Sequence, residues 1–130
     1  MKKILIINSN YYKIISNKLV KNAKDTLISS KLKVSMSKID VPGIFEIPIA
    51  IRKNIKKFDG FIALGCVIKG QTPHFDFISQ ASTDAIMKLS IENKKPIGNG
   101  IITCLNMRQA IARKTKGREA AKAVISVLLQ

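Results

Sequence analysis

Short apolar runs alternate along this chain with longer segments in which an apolar residue recurs about once per helical turn. The runs at 2–8 and 61–68 are rich in aliphatic residues, which is typical of strands buried on both faces of a sheet. The segment 12–29 is typical of a helix with one apolar face. That face consists of Ile15, Leu19, Ala23 and Leu27. The alternation predicts strands joined by helices, and it constrains the fold more than any other feature.

The same alternation continues to the end of the chain. The further elements predicted are a less buried strand at 32–36, a helix from 47 to about 57 with Pro48 in its first turn, a helix from Pro73 with an inner face of Ile78, Ala81, Ala85 and Leu89, a strand at 97–103, and two helical stretches within 106–130. Strands separated by helices form a parallel sheet covered on both faces. We therefore predict an α/β fold, a three-layer αβα sandwich with a four-stranded parallel sheet, in one domain spanning 1–130.

In parallel sheets of this kind, ligands bind outside the carboxyl ends of the strands. The predicted strands end at four segments that also contain most of the unusual polar residues. These segments are 8–12, 41–46, 68–74 and 103–106. We therefore expect the functional site at this edge of the sheet.

The most informative of these segments is Ile68-Lys69-Gly70-Gln71-Thr72-Pro73-His74. It leaves a buried strand and enters a helix, whose first N–H groups point outward and carry partial positive charge. Such a helix start favours an anion, and Gly70 allows a ligand to approach closely. The alternative interpretation is an ordinary helix start that Thr72 caps.

Three other features of these segments are candidates for chemistry. His74 would lie in the first helical turn and could transfer protons, or it could be a hydrogen-bonded surface histidine. Glu46 could accept hydrogen bonds from a polyol, or it could be a glutamate that caps the first helical turn. Tyr11 or Tyr12 could stack on a planar ring, or be a half-buried loop aromatic.

The composition argues against several classes of function. A formal net charge of +15 suits nucleic-acid binding, but the lysines are scattered and no Arg-rich or aromatic run accompanies them, so we expect no nucleic-acid partner. The apolar runs are too short to span a membrane. The N-terminal run, Ile4–Ile7, is also too short for a signal peptide, which predicts a cytoplasmic protein.

The few sulfur and imidazole groups do not suggest a metal or thiol enzyme. His74 is the only histidine and the cysteines are far apart in sequence, so no metal site is expected. Cys66 lacks the Gly-x-Ser/Cys-x-Gly elbow and is expected to be a buried structural residue rather than a nucleophile. The first strand is not followed by Gly-x-Gly-x-x-Gly, which argues against a dinucleotide cofactor.

Two long motifs resemble those of the lumazine synthase family. They are Val41-Pro42-Gly43-Ile44-Phe45-Glu46-Ile47-Pro48 and Leu64-Gly65-Cys66-Val67-Ile68-Lys69-Gly70-Gln71-Thr72-Pro73-His74-Phe75-Asp76. The resemblance implies the flavodoxin-like fold of that family. It also implies a transferase of riboflavin biosynthesis, which condenses 5-amino-6-(D-ribitylamino)uracil with 3,4-dihydroxy-2-butanone 4-phosphate. The products are 6,7-dimethyl-8-ribityllumazine, phosphate and water, and no metal or redox cofactor takes part.

The resemblance also implies roles for residues at the matching positions. Binding of the pyrimidine and ribityl groups is implied for Tyr11, Ile44, Phe45, Glu46, Cys66, Val67, Ile68, Asn99 and Lys116. Phosphate binding is implied for Gln71, Thr72 and Arg113. His74 is implied as the proton-transfer residue.

The chain departs from the family pattern in three places. Asn99 stands where many members have Phe, and 106–109 lacks the usual acidic residues. The loop 113–117 is shorter than in members that build icosahedral shells, which predicts a free homopentamer whose active sites are shared between neighbouring subunits. Two other hypotheses stay open: a non-catalytic member that binds flavins or lumazines, and a basic nucleic-acid-binding protein.

Overall fold

The computed structural model describes residues 1–130. Its strands are β1 (Lys2–Ser9), β2 (Val34–Val41), β3 (Gly60–Ile68) and β4 (Ile97–Cys104). Its helices are α1 (Lys13–Ser29), α2 (Ile47–Lys53), α3 (His74–Asn93), α4 (Met107–Ala112) and α5 (Lys116–Leu128), and a 3₁₀ turn, Ile44–Glu46, precedes α2. The predicted order of strands and helices is confirmed.

The four strands form one parallel sheet in the order β2-β1-β3-β4. β1 and β3 are central, and both are buried over most of their length. β2 lies at one edge and alternates between half-buried and exposed residues over most of its length. These burial patterns match the two kinds of apolar run in the sequence, because a strand covered on both faces has no polar side.

Helices cover both faces of the sheet, so the predicted three-layer αβα arrangement is confirmed. On one face, α1 and α5 pack against a core that includes Ile4, Ile6, Leu19 and Leu64. On the other face, the 3₁₀ turn, α2 and α3 pack against a second core. Its members include Leu5, Ile7, Ile44, Ile51, Phe61 and Ile86.

Two details of the helix predictions were wrong. The second helix ends at Lys53 rather than near Lys57. Ile55 is only 4% exposed although it lies in the turn after the helix. Its spacing from Ile51 therefore resembles a further helical turn in the sequence. In α3, Ile78, Ala85 and Leu89 are half-buried on the predicted inner face, but Ala81 is exposed, and Ser82 and Ile86 are the most buried residues.

A buried amide connects the carboxyl ends of β1 and β2. Asn8 is 1% exposed, and its Nδ2 donates a hydrogen bond to Asp40 Oδ1 at 3.1 Å. This bond lowers the pKa of the Asp40 carboxyl below its usual value, and Lys38, whose Nζ lies 3.1 Å from Oδ1, acts in the same direction. The ionised carboxylate therefore stabilises the folded state.

Asp40→Ala should lower the free energy of unfolding by about 1–3 kcal/mol at pH 7, because the buried Asn8 amide loses its acceptor. The measurement is urea unfolding followed by circular dichroism. A carboxyl whose pKa is lowered on folding stabilises above its unfolded pKa, and the effect is lost as the pH falls through the folded pKa. The difference between the variant and the wild type should therefore shrink below about pH 4.

Asp25→Ala is the matched control for this prediction. Asp25 pairs with Lys21 on the exposed side of α1, at 2.8 Å, and exposed pairs of this kind contribute about 0.5 kcal/mol or less. Equal losses of stability in the two variants would contradict the role given to Asn8.

Candidate active site

The carboxyl ends of β1 and β3 border a cavity of about 640 Å³, called here the main cavity. Its lining is mostly apolar. The lining residues are Tyr11, Tyr12, Gly43, Ile44, Phe45, Glu46, Cys66, Val67, Ile68, His74, Phe77, Ile78 and Ala81. Eight of the residues expected at the site from the sequence therefore lie around one cavity, at the edge of the sheet where ligands were expected.

The 3₁₀ turn forms one wall of the main cavity. Ile44 is 6% exposed and anchors the turn in the second core. The neighbouring Phe45 side chain stays 67% exposed, and Glu46 is half-buried. The turn therefore places an aromatic ring and a carboxylate beside the cavity while its first residue is fixed in the core.

Gly65 makes room for this anchor. A Cβ at this position of β3 would clash with Ile44 Cδ1 and would lie 2.9 Å from Ser9 Cβ. Both contacts are closer than carbon atoms tolerate, so the Ile44 side chain or β1 at Ser9 would have to shift. Gly65, which interrupts the apolar run of β3, is therefore needed for the packing of the cavity wall.

The segment before α3 leaves main-chain donors free. The Lys69 amide donates to the Cys104 carbonyl at 2.8 Å, but the amides of Gln71 and Thr72 donate no main-chain hydrogen bond, and both residues are exposed. Thr72 Oγ1 accepts only a long contact of 3.4 Å from the His74 amide, and α3 has no side-chain cap. The capping interpretation is therefore weak, and the helix start remains open to an anion.

Three predicted site residues lie elsewhere, in a pocket of about 630 Å³ along β4, called here the edge pocket. Arg113 Nη1 donates to the Thr103 carbonyl at 2.7 Å, and Asn99 Oδ1 accepts the Ile101 amide at 3.0 Å. The lining residues are Asn99, Ile101, Ile102, Thr103, Ala112, Arg113, Thr115, Lys116 and Glu119. The two cavities share no lining residue. Within one chain, the predicted site residues that line a cavity therefore lie in two separate groups.

Several lining residues were missed in the sequence. Phe77 follows His74 by three positions on a helix, so the two side chains lie on neighbouring parts of one face, and this spacing could have identified it. Tyr12 was considered beside Tyr11 as a stacking residue, and both residues line the cavity. Ala81 lies on the side of α3 that faces the cavity. Its position in the lining depends on the orientation of the helix, which the sequence pattern does not show.

The thiol of Cys66 is not an activated nucleophile. Burial, and then the neighbouring Cys104 thiol, raise the pKa of Cys66 to about 12, so the group stays protonated at neutral pH. This agrees with the expectation of a buried structural residue. No group of three or more His, Cys, Asp or Glu side chains is arranged to hold a metal ion.

A largely apolar cavity at the carboxyl ends of parallel strands, with an imidazole and a carboxylate in its lining, defines an α/β enzyme acting on a small molecule. The family model of 6,7-dimethyl-8-ribityllumazine synthase matches residues 1–130. The chain therefore belongs to this family, and it is a transferase of riboflavin biosynthesis. No helix has the length and apolar character needed to cross a membrane.

Individual relatives agree with the family model. The chain is 41% identical to a 6,7-dimethyl-8-ribityllumazine synthase of Campylobacter jejuni over 97% of its own length and 87% of the relative. It is 40% identical to that of Bartonella tribocorum over 96% and 87% of the two chains. The resemblance found in the motifs is confirmed, and the comparisons favour neither the flavin-binding hypothesis nor the nucleic-acid hypothesis.

Gly65→Ala should cost about 1–3 kcal/mol of stability, because the added methyl group overpacks the contact with Ile44 and Ser9. Thermal unfolding measures the loss. Gly70→Ala is the control, since a Cβ there would meet nothing within 4 Å and stability should change by less than about 0.5 kcal/mol. A stable Gly65→Ala variant would show that the 3₁₀ turn does not depend on this contact.

Proposed function

We propose that the main cavity of one subunit and the edge pocket of its neighbour form the site at which this enzyme condenses its two substrates. These are 5-amino-6-(D-ribitylamino)uracil and 3,4-dihydroxy-2-butanone 4-phosphate, and the products are 6,7-dimethyl-8-ribityllumazine, phosphate and water. The observation that carries the proposal is the position of His74, in the lining of the cavity and next to a helix start with free amides. Residues 1–130 would act as one lumazine synthase domain.

The main cavity suits the pyrimidine substrate. The Tyr11 ring is 73% exposed, and it would stack on the planar heterocycle. Residues 66–68 line the cavity at the end of β3, where their main-chain groups would bond the polar edge of the pyrimidine. Glu46 would accept hydrogen bonds from ribityl hydroxyls, beside Ile44 and Phe45.

The helix start suits the phosphate of the second substrate. The free amides of Gln71 and Thr72 and the positive end of the 20-residue α3 would bind it. Arg113 would supply the opposing charge from the edge pocket, where Lys116 and Asn99 would contact the pyrimidine from the other side. Arg113 is already held at the carboxyl end of β4 by its bond to Thr103.

The chemistry requires few groups from the protein. The primary amine of the pyrimidine attacks the ketone carbonyl and forms an imine with loss of one water. Removal of the proton on the neighbouring carbon expels phosphate as its C–O bond breaks, and the resulting enol becomes a ketone. The second amine attacks that new carbonyl and closes the ring with loss of a second water. His74 would move protons between these groups, and much of the acceleration would come from holding both substrates close together. As the family resemblance implies, no metal or redox cofactor takes part.

Assembly into a homopentamer would bring the two cavities together. In α3, only Ser82 and Ile86 are buried, while Phe77, Met87 and Ile91 are between 59% and 69% exposed. Such an apolar helix face supports burial against a second subunit. A cytoplasmic location is likewise part of the proposal, supported by the two free buried cysteines, Cys66 and Cys104, which suit a reducing compartment.

His74→Ala should lower kcat on the order of 10²-fold, because proton transfer loses its carrier. Arg113→Ala should raise KM for the phosphate substrate by about tenfold or more, because a charge-assisted hydrogen bond is lost. Lumazine fluorescence and released phosphate measure both rates. Arg52→Ala, on the exposed end of α2, is the control, and unchanged kinetics in the first two variants would remove the site assignment.

A mixture of the His74→Ala and Arg113→Ala variants tests whether subunits share sites. In a cyclic assembly co-expressed at equal amounts, about one quarter of the sites receive an intact His74 from one subunit and an intact Arg113 from the next. At substrate concentrations well below KM, the activity of the mixture should recover to about one quarter of the wild-type activity. The assembly itself should have five times the 14.4 kDa chain mass by analytical ultracentrifugation, and a mixture without recovered activity would contradict shared sites.

A further inference from the structure

Two tyrosines follow β1, and they differ in how firmly they are held. The Tyr11 side chain is 73% exposed, so little of the protein surrounds its ring. Tyr12 is half-buried and packs against the core between the sheet and the α1–α5 layer. Only the second ring is therefore anchored in the fold.

The two rings contact each other in an edge-to-face arrangement. Their centroids are 4.9 Å apart and their planes meet at 79°. This geometry is favourable because the positive edge of one ring meets the negative face of the other. The anchored ring thus restricts the orientations of the exposed one, and both belong to the lining of the main cavity.

The main chain and the surroundings fix Tyr12 further. Its carbonyl accepts the Ser16 amide at 2.9 Å at the start of α1, and Ser16 is fully buried. Burial, followed by the charges of ionised Tyr11 and Cys66, raises the pKa of the Tyr12 hydroxyl above its ordinary value. The Tyr12 hydroxyl therefore stays neutral throughout the physiological pH range.

We propose that Tyr12 is a positioning residue, which holds the Tyr11 ring in the orientation that stacks on the planar ring of the bound pyrimidine or lumazine. The inference rests on the stacking role proposed above for Tyr11. A side chain that samples several orientations binds more weakly, in proportion to the fraction of time spent in the competent one. Tyr12 would raise that fraction by favouring one orientation, without contacting the reacting atoms.

A double-mutant cycle in the full-length enzyme tests this role. Tyr12→Met keeps the bulk in the core but removes the ring, and it should raise the Kd of 6,7-dimethyl-8-ribityllumazine about three- to tenfold, as expected for the loss of one aromatic pair. KM for the pyrimidine substrate should rise by a similar factor, with the change in KM exceeding that in kcat. Tyr12→Phe keeps the ring and should restore the wild-type Kd.

The decisive measurement is the same substitution in a Tyr11→Leu background. If Tyr12 acts through Tyr11, Tyr12→Met should change the Kd by less than about twofold there, since coupled residues are not additive. Equal losses in both backgrounds, or a Tyr12→Phe variant as weak as Tyr12→Met, would overturn the inference. Should Tyr12→Met fail to fold, Tyr12→Leu replaces it in the same cycle.

Wild-type turnover, measured first, separates this inference from the proposed function. Turnover together with an additive cycle overturns the role of Tyr12 alone. A wild-type protein that makes no lumazine from saturating substrates overturns the proposed function instead.

Discussion

The burial of β1 and β3 on both faces is the constraint on which the rest of this structure depends. Both strands bond to neighbours on each side and are covered by helices above and below. Burying polar side chains along such strands costs free energy. They collect at the strand ends, where Asn8 still needs Asp40 as an acceptor, and the chemistry of the protein is therefore confined to one edge of the sheet.

The sequence predicts this part of the structure well because the relevant signals are local. The composition of a run such as 61–68 indicates that it is buried, and the spacing of apolar residues indicates which face of a helix points inward. The predictions fail where burial depends on a tertiary contact rather than on the local sequence pattern. Ile55 is buried from a turn rather than from a helix, and Ala81 faces the cavity because of how α3 lies on the sheet.

Most of the site residues predicted from the family motifs line one of two cavities, but their division between the cavities was not predictable. The family motifs select residues that then line cavities, as Glu46 and His74 do. Nothing local indicates that Arg113 lies in a separate pocket along the edge strand. That separation follows from the strand order, which places β4 outside β3, and strand order is a property of the whole sheet.

α3 takes part both in the proposed substrate site and in the proposed contact between subunits. Its first residue is His74, and its free amides and positive end would hold the phosphate, while its exposed apolar residues, among them Met87 and Ile91, would form the contact between subunits. Only two of the 20 residues of α3 are buried in the single chain, so much of the helix surface is free to contact another subunit. Under the proposed assembly, the neighbouring subunit would both cover this helix and supply Arg113, so the contact that stabilises α3 would be the same contact that completes the site around His74.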